Sequence, residues 1–153
     1  MSSIETRLAE LGFELPEVAV PAGAYIPAVA HGSLVFTAGQ LPLMAGALVR
    51  VGKVGDGDGM VTPADAKVDA ARAALNALAA VKGVIGSLDR ITRIVKVTGF
   101  VASHPSFSGQ PSVINGASEL LGDLFGDRGQ HARSAVGVAV LPFDAPVEVE
   151  LIV

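Results

Sequence analysis

The chain predicts an α+β fold, a mixed sheet with two helices packed on one of its faces. Three observations carry that reading. Residues 63–82 and 111–125 hold apolar side chains at helical spacing between clear start and stop signals. Several shorter stretches alternate apolar and polar residues or run in β-branched side chains, the last two at the C-terminal end. The order that results, ββ(β)αβαββ, is not the strict alternation of an all-parallel sheet.

Taken in order, Ser3 to Leu11 reads as a short helix with Ser3 as N-cap, Ile4 and Leu8 on one face and Gly12 as its stop. It is too short to stand alone and must dock. Pro16 and Pro21 mark an extended approach, so residues 1–22 form an added N-terminal helix and extended segment. Tyr25–Ala30, the turn His31-Gly32-Ser33 and Leu34–Thr37 read as a hairpin, and Leu48–Val51 as a short third strand. Gly52 to Met60 carries four glycines and two aspartates, which invites a phosphate- or calcium-loop reading. The Gly-Lys-Ser/Thr ending of the first and the ligand set of the second are both missing, and a flexible hairpin or connecting loop is expected.

Thr62-Pro63-Ala64-Asp65 is a strong helix start, and the helix is expected to run to Lys82 and stop at Gly83. Val68, Ala71, Leu75 and Leu78 are its predicted buried face, with Asp65, Asp69, Arg72 and Asn76 on the wet one. Ile91–Ala102 reads as a long strand and Ser103–Gln110 as a loop. Pro111–Phe125 is the second helix, stopped by Gly126. Two strands close the chain, one in His131–Pro142 opened by Arg133, the other Val147–Val153.

Composition narrows the function. At 153 residues the chain is read as one domain, 1–153, with half its residues hydrophobic and only 17% charged. That apolar excess exceeds what a small monomer needs and points to subunit contacts. A net charge of −4 argues against nonspecific binding to nucleic acid or to an acidic membrane. No cysteine is present, which excludes disulfides, thiolate metal sites and Cys nucleophiles. His31, His104 and His131 are scattered without ligand spacing, so no metal site is expected, although His131 lies close to Arg133 in sequence. No leader pattern or long apolar run is seen, and a soluble cytoplasmic protein is expected.

Four stretches carry a resemblance: Ala132-Arg133-Ser134-Ala135-Val136-Gly137-Val138 followed by Leu141-Pro142, Phe36-Thr37-Ala38-Gly39-Gln40-Leu41-Pro42, Val97-Thr98-Gly99-Phe100-Val101, and Val147-Glu148-Val149-Glu150. Their sequences, order and near-family spacing resemble the YjgF/Rid family over residues 25–153. The N-terminal helix and the Gly/Asp loop place the chain in a longer branch. The resemblance implies a chorismate-mutase-like fold in a homotrimer, with sheets forming an inner barrel, helices outside and a cleft at each subunit interface. It also implies hydrolysis of reactive 2-imino acids, or their 2-enamino tautomers, to 2-oxo acids and ammonia, with no metal or organic cofactor.

Under that resemblance Arg133 matches the Arg that clamps the substrate carboxylate, and Glu148 the acid that handles the attacking water. Tyr25 matches a Tyr lining the cleft from the first strand, and Asn115 an Asn near the subunit boundary. Ala135 stands where well-characterised deaminases have Cys, and Ala38 where they often have a hydroxyl. The first change removes a polar contact and alters pocket shape without touching the hydrolytic nucleophile. The chemistry suits these residues. A guanidinium holds a carboxylate in one plane, and an imine carbon then needs only a positioned water and a proton acceptor. Against this stand plainer roles: an interfacial ion pair for Arg133, solvent exposure for Glu148 and Glu150, a hairpin edge for Tyr25 and an interface hydrogen bond for Asn115. The competing function is a non-catalytic trimer whose clefts bind small carboxylate metabolites or other proteins. Ribonuclease or translation inhibition, attached to relatives, fits the acidic charge and the lack of a His pair least well.

Overall fold

The computed structural model describes residues 3–153; Met1 and Ser2, the first two residues of the expected N-terminal segment, lie outside it. Helix α1 (Ser3–Glu10) is followed by strands β1 (Ala28–His31) and β2 (Leu34–Thr37) and by a ribbon of β3 (Leu43–Met44) and β4 (Ala47–Leu48). Helix α2 (Pro63–Ile85), strand β5 (Lys96–Ala102), helix α3 (Gln110–Phe125) and strands β6 (Ala132–Val138) and β7 (Val147–Ile152) complete it. One five-stranded sheet runs in the order β1-β2-β7-β5-β6. The β5–β6 pair is parallel, and β1–β2, β2–β7 and β5–β7 are antiparallel. Helices α2 and α3 pack together on one face of it, as the expected α+β class requires.

The core lies between the helices and the sheet. Val97 and Val101 of β5 and Val147, Val149 and Leu151 of β7 point into it and are at most 1% exposed. On the helix side Ala70, Ala73, Ala74 and Ala77 are fully covered, and these small side chains let α2 lie close. Between α2 and α3 the approach is closer still. A Cβ on Gly116 would stand 1.9 Å from the Lys67 carbonyl oxygen, so only glycine fits there.

Several expected elements shift. The buried stripe of α2 keeps Leu75 and Leu78, as expected, but Val68 is 59% exposed while Asp69 and Asn76 are buried. Tertiary partners reverse the polarity rule. Asp69 Oδ1 receives a 2.9 Å hydrogen bond from Arg50, and the Asn76 amide donates to the Leu41 and Leu43 carbonyls. Helix α2 also passes through Gly83 and ends at Gly86, whose φ of 82° is the left-handed stop. Helix α1 starts at Ser3 rather than after it, and its cap is supplied from afar. Asp89 accepts from the Ser3 and Ile4 amides and from the Ser3 hydroxyl. In place of a single third strand at Leu48–Val51 there is the β3–β4 ribbon, whose second strand overlaps the expected span only at Leu48, and strand β5 begins only at Lys96. The Gly/Asp loop is anchored rather than free: fully buried Val54 bridges Val61 and Ser103.

Strand alternation leaves the second sheet face with no helix over it. Val29, Phe36 and Val136 are exposed there, beside half-buried Phe100 and Ile152. That uncovered apolar face and the unpaired outer edge of β6 frame the candidate site. Among the described residues no helix is long and apolar enough to cross a membrane.

Candidate functional site

Arg133 is the second residue of β6 and pairs with Val97 of β5 in parallel register. Parallel partners point to the same side, so Arg133, Ala135 and Gly137 face α3 with Val97, Gly99 and Val101. Two side chains of α3 meet the guanidinium. Arg133 Nη1 donates to Asn115 Oδ1 at 2.7 Å and to Ser118 Oγ at 3.3 Å. Asn115 and Ser118 are three residues apart, so the helix period brings both to one face. Ser118 Oγ in turn lies 2.9 Å from His131 Nε2, and His131 Nδ1 lies 2.6 Å from the Gly129 carbonyl oxygen. Both protons of Nη1 are thereby used. No described hydrogen bond takes the Nε–H or the Nη2 protons, which form the fork that binds a carboxylate through two oxygens. Ala135 sits two residues further along the same face and packs against the main core.

Glu148 belongs to the other face. Its neighbours Val147 and Val149 are buried towards the helices, so Glu148 and Glu150 project from the opposite side, beside Phe100 and Thr98. Burial pushes the Glu148 carboxyl above the ordinary 4.5, and the like charge of Glu150 adds to the shift. No described hydrogen bond holds this carboxylate. Its close neighbour is Gly39, just past β2, where a Cβ would stand 1.7 Å from Glu148 Oε1. The chain folds back at this point because Gln40 exchanges backbone hydrogen bonds with Val149.

Tyr25 lies before β1 rather than on it, contrary to the expected strand span, because pairing begins at Ala28. Its phenol oxygen accepts from the Ala22 amide at 3.2 Å, which curls the 22–25 segment back on itself. Tyr25 and Gly39 share the wall of a cavity of about 370 Å³, mostly apolar, with Val20, Leu43 and Phe143. The predicted residues therefore fall into two groups. Arg133, Asn115 and Ala135 lie on the helix face, while Glu148, against Gly39, lies on the other side; Tyr25 shares only the cavity wall with Gly39. Within one chain the guanidinium and the carboxylate do not meet.

Sequence reading passed over Gly39 and Ser118 as functional. Gly39 has no side chain to announce it, whereas Ser118 was findable from its spacing to Asn115. No group of three or more His, Asp or Glu residues among those described is placed to hold a metal ion.

The family model described as "YjgF/chorismate mutase-like, putative endoribonuclease" matches residues 5–153. Protein TCP17 of Trypanosoma cruzi is 40% identical over 151 residues, which cover 98% of this chain and 92% of that protein. Among solved structures, Atu1372 of Agrobacterium tumefaciens, of unknown function, matches with a TM-score of 0.88 and 45% identity over 97% of this chain and 90% of its own. A Shewanella oneidensis protein carrying the same endoribonuclease description matches with a TM-score of 0.93 and 35% identity, over 99% and 98% of the two chains. E. coli TdcF with bound serine matches with a TM-score of 0.62 and 26% identity, over 89% and 91%.

Proposed function

The chain belongs to the YjgF/chorismate-mutase-like family, and from that premise we propose that it hydrolyses reactive 2-imino and 2-enamino acids to 2-oxo acids and ammonia. The observation that carries the reading is the state of Arg133. One nitrogen is tied down by Asn115 and Ser118, and the two-pronged edge is left for a carboxylate. With the carboxylate held, water adds to C2 of the protonated imine and Glu148 accepts one of its protons. That proton then passes to the amine nitrogen, the C2–N bond breaks, and ammonia leaves as the carbonyl forms and the hydroxyl proton returns to the Glu148 carboxylate. A carboxyl whose pKa is raised by burial is a better base for this than a fully solvated one.

Because Arg133 and Glu148 occupy opposite faces of one sheet, the reading requires two copies, one giving the clamp and the other the acid. A homotrimer with intersubunit clefts meets that need and covers Val29, Phe36 and Val136. The serine bound to TdcF is an α-amino acid and carries the carboxylate this reading assigns to Arg133. An endoribonuclease is less well supported, since the chain has a net charge of −4 and RNA affinity rests on phosphate neutralisation.

The test is to generate imino acids in situ with an amino-acid oxidase and follow 2-oxo acid release. Acceleration by the wild type that disappears in Arg133→Ala, with the assembly intact by light scattering, is expected. No acceleration across a panel of imino acids would refute the reading. One specific residue keeps a second reading open: Ala135, where the deaminases have Cys, suits a trimer that binds carboxylate metabolites without turning them over. Calorimetry with 2-oxo acids would then show binding that depends on Arg133 in the absence of turnover.

A further inference from the structure

We propose that His131 is a positioning residue which, through Ser118, fixes the orientation of the Arg133 guanidinium and thereby the affinity of the site for 2-imino and 2-oxo acids. The inference rests on the reading of Arg133 as the carboxylate clamp. The hydrogen-bond directions follow from what each atom can do. A carbonyl oxygen only accepts, so the 2.6 Å contact with Gly129 puts a proton on His131 Nδ1. In the neutral ring Nε2 then carries a lone pair. Its partner at 2.9 Å is the Ser118 hydroxyl, whose proton therefore points at the ring. With that proton committed, the lone pairs of Ser118 Oγ are turned towards Arg133 Nη1 at 3.3 Å.

The chain of contacts runs from a backbone carbonyl through imidazole and hydroxyl to guanidinium without a mismatched donor or acceptor. Its effect is selective. It holds Nη1 together with Asn115 and leaves the Nε and Nη2 protons without a described partner. A residue two positions before the clamp, just ahead of β6, thus rules out the guanidinium rotation that Asn115 alone would permit. The device uses a fixed backbone anchor, because Gly129 is itself pinned: a Cβ there would stand 2.4 Å from the Leu121 carbonyl oxygen.

The test compares Ser118→Ala and His131→Phe with Ser118→Thr and His131→Gln, which keep the hydroxyl and a lone-pair acceptor. The readouts are steady-state kinetics on imino acids made in situ and calorimetric affinity for 2-oxobutanoate. Loosening a clamp that acts equally on ground and transition state raises KM and leaves kcat nearly unchanged. The disrupting variants should weaken binding by about tenfold, and the double variant Ser118→Ala/His131→Phe by no more than Ser118→Ala alone. The conservative variants should stay near wild type. Wild-type affinity and KM in Ser118→Ala and His131→Phe, while Arg133→Ala abolishes both, would overturn the inference and leave the proposed function standing. Additive losses in the double variant, or a fall in kcat alone, would also overturn it. A wild type that neither turns over imino acids nor binds 2-oxo acids removes the proposed function itself. Equal thermal midpoints in the four single variants separate positioning from folding.

Discussion

Gly39→Ala is the substitution on which the proposed role of Glu148 is most exposed to test. The new methyl would lie 1.7 Å from Glu148 Oε1 and 2.7 Å from Cδ. Nonbonded contact needs about 3.5 Å, so the carboxylate must retreat by about 1.8 Å. Retreat is feasible because the obstacle is the free end of a flexible side chain, and because Gly39 is not among the positive-φ glycines. The backbone therefore accepts Ala with a stability change of about 1 kcal/mol or less. Catalysis should suffer far more. Misplacing a reacting group by about 1 Å costs roughly 10²-fold, and losing a general base roughly 10²–10⁴-fold. A fall in kcat/KM of about 10²–10³-fold, or about 3–4 kcal/mol, is expected. The assay is oxo-acid release from imines made in situ, alongside a denaturant melt. Full activity in Gly39→Ala, with Glu148→Gln inactive, would show that the position of this carboxylate does not matter. An unfolded Gly39→Ala would show that the glycine serves the backbone.

Other perturbations have distinct outcomes. In Gly116→Ala the methyl meets a backbone carbonyl that cannot swing away, so α2 and α3 must separate; a loss of about 3 kcal/mol in denaturant melts is expected. Glu148→Gln should stabilise the fold at neutral pH. The folded-state pKa lies above 4.5, so the wild type loses stability as pH rises through that value, whereas Gln does not; melting temperatures should converge near pH 4.5 and below. Asp89 has the opposite sign. Hydrogen bonds from the Ile4 and Ser3 amides hold its carboxyl below 3.8, so the capping of α1 persists at neutral pH and fails as pH falls through the lowered value. Asp89→Ala should already expose the Ile4–Leu8 amides to hydrogen exchange at pH 7, with no further loss on acidification.

What could be read from the chain was local, and what could not was set by distant partners. The start of α2 is local: Thr62 Oγ1 accepts from the Asp65 amide and Pro63 takes the first helical position, as expected. The cap of α1 is not, since its acceptor comes from 86 residues away. In α2 the many alanines make several stripes equally plausible, and Arg50 together with the Leu41 and Leu43 carbonyls chose the one containing Asp69 and Asn76. Arg133 and Glu148 stood out as candidates because charges in apolar strands are costly without a purpose. Their opposite faces were harder to see. In β6 the apolar residue Val136 suggests a core-facing side, yet it is 45% exposed, and Arg133, Ala135 and Gly137 face the helix. Hydrophobic alternation misleads on a strand that carries apolar side chains on a face with no helix over it.

The proposed trimer has a consequence for the chemistry of Glu148. Glu148 is half-buried in one chain, and desolvation is the larger cause of its raised pKa. In the proposed trimer another subunit would cover the apolar face that holds Val29, Phe36 and Val136 and would withdraw more water from the same carboxylate. The neighbouring Glu150 acts in the same direction, because two anions on one face resist simultaneous ionisation. In the proposed two-copy site a partner's guanidinium would oppose both, but its charge would be met by the substrate carboxylate once the site is loaded. The acid limb of kcat/KM should therefore lie above 4.5, in the range where a carboxylate is an effective base at neutral pH. Rate profiles for wild type and Glu148→Asp separate this limb from titration of the imine, since only an enzyme limb moves with the side chain. A limb at or below 4.5, or one unmoved by Glu148→Asp, would remove Glu148 from the reaction and leave Arg133 as a binding residue alone.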